Sequence, residues 1–217
     1  MPRQLSRRRL VTALGGSVAT SLAGCVDSVV PSTNSNNESE SSNPTHTTSV
    51  TATDSTVVEP GGSGPVQRIE VAEPPEQSPF RHKLDFLTQP TGDHPARLQV
   101  SLTNADDTEH TIRTNNSGLP FPSRVGKAVE GDATLVLSPD GDAERRDGCW
   151  RAYPKTLPTV ETKTLSPGET LSATYALVNH MDTDTCWPTG SYRFSQQYEV
   201  DPEAGRVEYD WWFAVSV

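Results

Sequence analysis

Val207-Glu208-Tyr209-Asp210-Trp211-Trp212-Phe213-Ala214-Val215-Ser216-Val217 is the stretch that decides the fold. Val207, Tyr209, Trp211, Phe213, Val215 and Val217 recur at every second position, the period of a β-strand whose side chains point alternately to its two faces. A helix would scatter the same six residues around its circumference. Trp211 and Trp212 must therefore point to opposite faces. One belongs to a core; the other sits outside, as an anchor for a ligand or partner, or lies under a loop.

Working back from this strand, the same reading repeats. Tyr192 and Phe194 begin another strand, separated from the last by Asp201-Pro202-Glu203-Ala204-Gly205. Leu171, Ala173, Tyr175 and Leu177 alternate after the turn Ser166-Pro167-Gly168-Glu169, which follows a strand at 159–165. Ala133 to Ser138 is β-rich and stops at Pro139-Asp140-Gly141-Asp142, residues suited to a turn. Leu98, Val100 and Leu102 share a face up to Asn104-Ala105-Asp106-Asp107, with Thr111, Ile112 and Arg113 as the hairpin return, and Ile69 and Val71 mark the first strand. Residues 66–217 thus read as an all-β domain, an antiparallel β-sandwich of seven to eight strands.

Composition divides the chain. All the aromatic residues lie between Phe80 and Phe213, so the first third cannot build a core. Residues 26–65 are dominated by Ser, Thr, Asn, Pro and Gly, with no aromatic, Lys or Arg. Such a stretch buries too little apolar area to offset its conformational entropy and reads as a disordered tether. Residues 1–25 read as a processing segment, with a basic head followed by a short apolar run at Leu10–Leu22. Thirteen residues at about 1.5 Å each fall short of a ~30 Å bilayer core, which argues against a permanent transmembrane helix.

Two motifs in this leader carry resemblances. Ser6-Arg7-Arg8-Arg9-Leu10-Val11 resembles the twin-arginine export motif, with Arg7 and Arg8 as its pair, and Leu22-Ala23-Gly24-Cys25 resembles a lipobox. The resemblance implies an exported lipoprotein with Cys25 lipidated, facing outward from the cell membrane. Without the leader the chain carries 28 acidic against 14 basic residues, a net of -14. This lysine-poor acidity resembles exported proteins of salt-loving archaea, and it excludes a nucleic-acid partner, which requires a basic face.

A further resemblance concerns the domain itself. Leu98-Gln99-Val100-Ser101-Leu102-Thr103-Asn104, Leu165-Ser166-Pro167-Gly168-Glu169-Thr170 and Pro188-Thr189-Gly190-Ser191-Tyr192-Arg193-Phe194 together resemble extracellular immunoglobulin-like domains. Their order is similar to the intracellular proteinase inhibitor-like branch. The resemblance implies an immunoglobulin-like sandwich and covers roughly residues 95–217; its motifs belong to the scaffold and bring no inhibitory site. The long segment from Asn115 to Lys127, with Pro120, Phe121 and Pro122, departs from a minimal domain of that kind.

The chemistry-bearing residues are few. Cys149 and Cys186 are the pair left once Cys25 takes lipid, and an oxidising location favours a disulfide between them. A copper site needs His and Met following a Cys, and none follows Cys186. His180, Asp182 and Asp184, and Asp140 with Asp142, are oxygen-rich but lack the ligand spacing of a calcium loop. No nucleophile elbow and no phosphate loop is present, so the reading is a non-catalytic module without cofactor or metal. The alternative is an inhibitor-like protein, or an enzyme whose site leaves no motif. Asn37 and Asn115 head Asn-x-Ser sequons and are candidate sugar acceptors. The expected contact surface for an extracellular ligand or envelope protein is the outward member of Trp211 and Trp212 together with Pro120 and Phe121.

Overall fold

A computed structural model of the chain describes residues 48–51, 54–139, 141–155, 157–202 and 207–217. Arg7, Arg8, Cys25 and Asn37 lie outside the described residues, as does most of the segment read as a tether. Among the described residues the fold is all-β, sandwich-like and dominated by antiparallel pairs. Fourteen strands are formed, in place of the seven or eight expected from sequence. They are β1 (Thr48–Thr51), β2 (Ser55–Val58), β3 (Arg68–Ala72), β4 (Phe80–Thr88), β5 (Ala96–Asn104), β6 (His110–Thr114) and β7 (Val125–Ala128), followed by β8 (Thr134–Pro139), β9 (Glu144–Arg146), β10 (Cys149–Ala152), β11 (Glu161–Leu165), β12 (Thr170–His180), β13 (Ser191–Val200) and β14 (Val207–Ser216).

One layer runs β2-β3-β14-β13, extended by β6 and β11 at one end of β13 and by β7 at the other. The second runs β4-β5-β12-β8-β7, so β7 belongs to both. Two of the extra strands, β1 and β2, lie inside the 26–65 segment read as disordered. β2 zips along β3 and β1 lies parallel to β14, so ordering here rests on backbone ladders where composition offered no apolar face. Strand β4 escaped the sequence reading because His82 occupies an inward position between Phe80 and Leu84. β9 and β10 are too short to show a period.

The chain does not return on itself at 104–107. β5 pairs with β4 and β12, whereas β6 pairs with β11 and β13 in the other layer. The expected hairpin is therefore a crossing, and β11 to β12 makes the opposite crossing. Asn104, fully buried, holds the two together. Its side-chain amide donates to the carbonyls of Thr108 and Leu165, its Oδ1 accepts from Asp106 N, and its backbone exchanges bonds with Gly168 and Glu169. A short amide with donors and an acceptor meets all of these needs at once; an apolar residue here would leave buried carbonyls unpaired.

The inward faces of β13 and β14 form an aromatic ladder. Phe194 stacks on its cross-strand partner Phe213 at 4.9 Å, and Tyr198 on Tyr209 at 5.4 Å. Such pairs add stabilisation beyond their buried area. Phe194 reaches across to Gly126 so closely that a Cβ there would stand 2.3 Å from its ring. Glycine is therefore required at this point of β7 for its small size.

β6 and β7 lie antiparallel to opposite ends of β13, like one interrupted strand. The interruption, residues 115–124, dips into the sandwich. Phe121 is 0% exposed and meets the edge of Trp211 at 5.4 Å, while Pro120 and Pro122 are buried beside it. Tyr198 donates to the Pro120 carbonyl at 2.7 Å, and Arg124 donates to that of Phe121, also at 2.7 Å. Pro120 and Phe121 are therefore core residues. Their expected role in partner contact is corrected: the apolar side chains satisfy the interior rather than face solvent. Replacing Phe121 by Ala is expected to remove about 3–5 kcal/mol of stability in urea denaturation, and deleting residues 116–126 is expected to prevent folding. A loss below about 0.5 kcal/mol, the ordinary range for surface substitutions, would contradict this assignment.

Candidate functional site

The charged and hydrogen-bonding groups converge at the end of the sandwich governed by Asn104. His110 opens β6 directly after the crossing turn. Its Nδ1 lies 2.6 Å from Oδ2 of Asp201, which follows β13, and its Nε2 lies 2.9 Å from Oδ2 of Asp106 on the β5–β6 turn. Thr108 Oγ1 also lies 3.1 Å from Nε2. Asp201 adopts a φ of 44°, in the left-handed region, where Asp is tolerated better than most residues. There its backbone bonds Thr111 O, and its Oδ1 accepts Thr111 N at 2.8 Å.

Burial alone would lower the pKa of His110, but hydrogen bonds and charge from Asp201 and Asp106 outweigh it and raise the value above 6.5. The Asp106 carboxyl is correspondingly lowered, first by its bond to His110 and then by those to Asp107. An imidazole with each nitrogen directed at a carboxylate is an imidazolium, because both nitrogens must donate. It offers no lone pair for abstracting a proton, so its chemistry is that of a bridge.

Two clefts adjoin this bridge. The inner, about 400 Å³, is bordered by Glu76, Ser78, Arg81, Asp106 and Asp201. The outer, about 790 Å³, is floored by Thr111, Thr162, Thr164 and Arg113, with Val160 and Pro202 at its rim. Thr111 and Thr164 share a hydroxyl hydrogen bond of 3.1 Å across β6 and β11. The Arg113 guanidinium faces Glu199 at 3.6 Å. Val160 is 51% exposed. Hydroxyls, a cation and an apolar lip around one concavity can engage a polar, hydrogen-bonding ligand.

The second histidine of note, His82, is structural. Its ring stacks on Trp211 at 4.3 Å, and Nε2 meets the Tyr209 hydroxyl at 3.0 Å. Burial lowers its pKa to about 3, so it is neutral at ordinary pH. A lowered value means protons prefer the unfolded state, and this contribution to stability fades as pH falls below 6.5.

The residues singled out from sequence fall in different places. Trp211 is 0% exposed and donates its indole N–H to Ala72 O at 2.7 Å. Trp212 is the outward member: half-buried on the outer face, with the Arg193 guanidinium 4.2 Å above its ring. Asn115 is exposed at the start of the β6–β7 connection. Cys149 and Cys186 are joined in a disulfide. His180 and Asp182 approach one another at 3.8 Å and Tyr153 donates to Asp182, but no cluster able to hold a metal ion occurs among the described residues; Asp140 lies outside them. His110, Asp201 and Arg193 were not found from sequence. Asp201 and His110 are far apart in the chain, and only the crossing of the layers brings them together. No protein-family model and no curated protein matches the sequence.

Two outcomes are expected. Because the folded-state pKa of His110 is raised, its contribution is complete below pH 6.5 and is lost as pH rises through the higher folded value. The melting temperature of His110→Gln is therefore expected to approach that of the parent at alkaline pH and to lie below it at pH 6; a constant difference would contradict this. The disulfide closes a sequence separation of 37 residues. Cys149→Ser with Cys186→Ser is expected to cost about 4 kcal/mol in equilibrium unfolding, and free thiols at both positions in purified protein would refute the bridge.

Proposed function

We propose that this chain is an exported, lipid-anchored binding module without catalytic turnover. The concavity around His110 engages an extracellular ligand or an envelope protein. The observation that carries the binding role is the outer cleft, with three threonine hydroxyls, Arg113 and the exposed Val160 arranged around one space. The bridged state of His110, with each ring nitrogen directed at a carboxylate rather than at the cleft, supports a role other than base catalysis. The anchor rests on the leader motifs: Leu22-Ala23-Gly24-Cys25 supplies the small residues and the thiol that a lipoprotein requires, and Arg7-Arg8 supplies the export pair. The acidic surface suits a domain working at high ionic strength, where long-range self-repulsion is screened. The immunoglobulin-like character rests on the Asn104 strand end and the Ser166-Pro167-Gly168-Glu169 turn, which sit at the two crossings between layers.

One experiment separates the two halves of this reading. The parent, Cys25→Ser and a cleft-filling Thr162→Trp variant are expressed in the native host, and membranes are separated from soluble material. The parent is expected in the membrane fraction, with Cys25→Ser released or retained as precursor. Affinity capture from solubilised envelopes is expected to enrich a defined set of molecules with the parent and to lose it with folded Thr162→Trp. An unmodified Cys25 at a free mature terminus would refute the anchor. Identical captured sets for parent and Thr162→Trp would refute the cleft, and turnover abolished by a single polar substitution would refute the non-catalytic role.

A further inference from the structure

Asp106 of the β5–β6 turn and Asp201, at the start of the β13–β14 connection, are bridged by the side chain of His110. His110 reaches Asp106 on the first with Nε2 and Asp201 on the second with Nδ1, at 2.9 and 2.6 Å. Its ring edge packs against Phe80 of β4. The two contacts differ in how firmly their carboxylates are held. Asp201 is fixed three ways: by the shorter bond to His110, by Thr111 N on its Oδ1 at 2.8 Å, and by its own N–H to Thr111 O at 2.8 Å. Asp106 is more exposed, 45% against 31%, and among the described residues its carboxylate otherwise accepts from the neighbouring Asp107 N–H.

We propose that His110 is a proton-operated clamp: with both nitrogens protonated it ties the two turns together, and loss of one proton releases the β5–β6 turn alone. The atoms dictate this order. When one proton leaves to solvent, the remaining one stays on Nδ1, where Asp201 is best placed to accept it. Nε2 then presents a lone pair to the Asp106 carboxylate, and acceptor faces acceptor. Thr108 Oγ1, 3.1 Å from Nε2, can rotate its hydroxyl to donate in place of the lost contact. Asp106 is thus displaced by a neutral donor already in position. Asp106 borders the inner cleft, so its departure changes the charge at that border while leaving the Asp201–Thr111 junction intact.

Other charges near the bridge modulate the midpoint without replacing the clamp. Glu109 precedes it on the chain, Glu76 and Arg81 border the inner cleft, and Arg113 lies in the outer one. Asp106 and Asp201 are the carboxylates in direct contact with the ring. The clamp does not depend on the proposed binding role, and its test involves no ligand.

The test is nuclear magnetic resonance on the mature chain from pH 5 to 9, following the His110 ring nitrogens and backbone amide exchange. A single titration is expected, with its midpoint above 6.5 and the neutral ring protonated on Nδ1. After correction for base catalysis, exchange at Asp106 and Asp107 is expected to rise at least about tenfold across it, as befits loss of a charge-assisted bond. Amides at Thr111 and Asp201 should not change. In Asp106→Asn the midpoint should fall and the exchange step disappear; in Thr108→Val, which removes the replacement donor, the midpoint should rise. A neutral ring protonated on Nε2, an exchange step unchanged in Asp106→Asn, or Thr111 opening first would overturn the clamp.

Discussion

Asn104 is the constraint on which the rest of this structure depends. A sandwich in which β5 passes to β6 in the other layer, and β11 passes back to β12, must turn its backbone inward at two neighbouring points. Each point leaves carbonyls that neither sheet can pair, and burying them unpaired is costly. The Asn104 amide bonds Thr108 O and Leu165 O together, one from each crossing, and its Oδ1 holds the start of the turn that carries Asp106. The position of His110 follows from that closure. The strand that begins at His110 is delivered beside β13, and the residue ending β13's run, Asp201, meets it there.

The interior obeys a different rule. Two adjacent strands, β13 and β14, supply an aromatic face, and the connection at 115–124 between β6 and β7 packs Phe121 against its Trp211 and Phe213. That packing explains why a loop rich in proline carries Phe121 to the centre of the molecule, and why Gly126 must follow it. The same sealing leaves the ends and outer faces as the surfaces on which binding can occur. Trp212 under Arg193 and the threonine-lined cleft are on such surfaces; Trp211 is not.

The inward faces of β5, β12 and β14 were legible in the sequence, because alternation over five to eleven positions favours a strand over a helix, while β13 showed only its start at Tyr192 and Phe194. The opposite facing of Trp211 and Trp212 followed from the same geometry, as did the turns at 104–107 and 166–169. Layer assignment was not legible: a turn signal states that the chain reverses without stating whether it pairs or crosses. Nor were strands β1 and β2, at 48–51 and 55–58, where backbone pairing with β14 and β3 replaces an apolar face. The 115–124 connection read as surface because prolines and glycine usually mark exposed loops, while its burial rests on Trp211 and Phe213, which lie about ninety residues further along the chain. The His110 bridge assembles residues separated by 91 positions, and nothing local announces such a meeting. Cysteine pairing was legible because the chain has three cysteines, and reading Cys25 as a separate acceptor left Cys149 and Cys186 as the pair.

The most direct test of this account is the stability of Asn104→Ala, read by urea denaturation together with the ring resonances of His110. The substitution removes two side-chain donors and one acceptor from a buried site. The account predicts a loss of about 3 kcal/mol or more, with the His110 titration shifting toward 6.5 as the turn that carries Asp106 loses its anchor. A loss within about 0.5 kcal/mol with an unchanged His110 titration would contradict it, because the two crossings and the bridge would then be held by something other than Asn104.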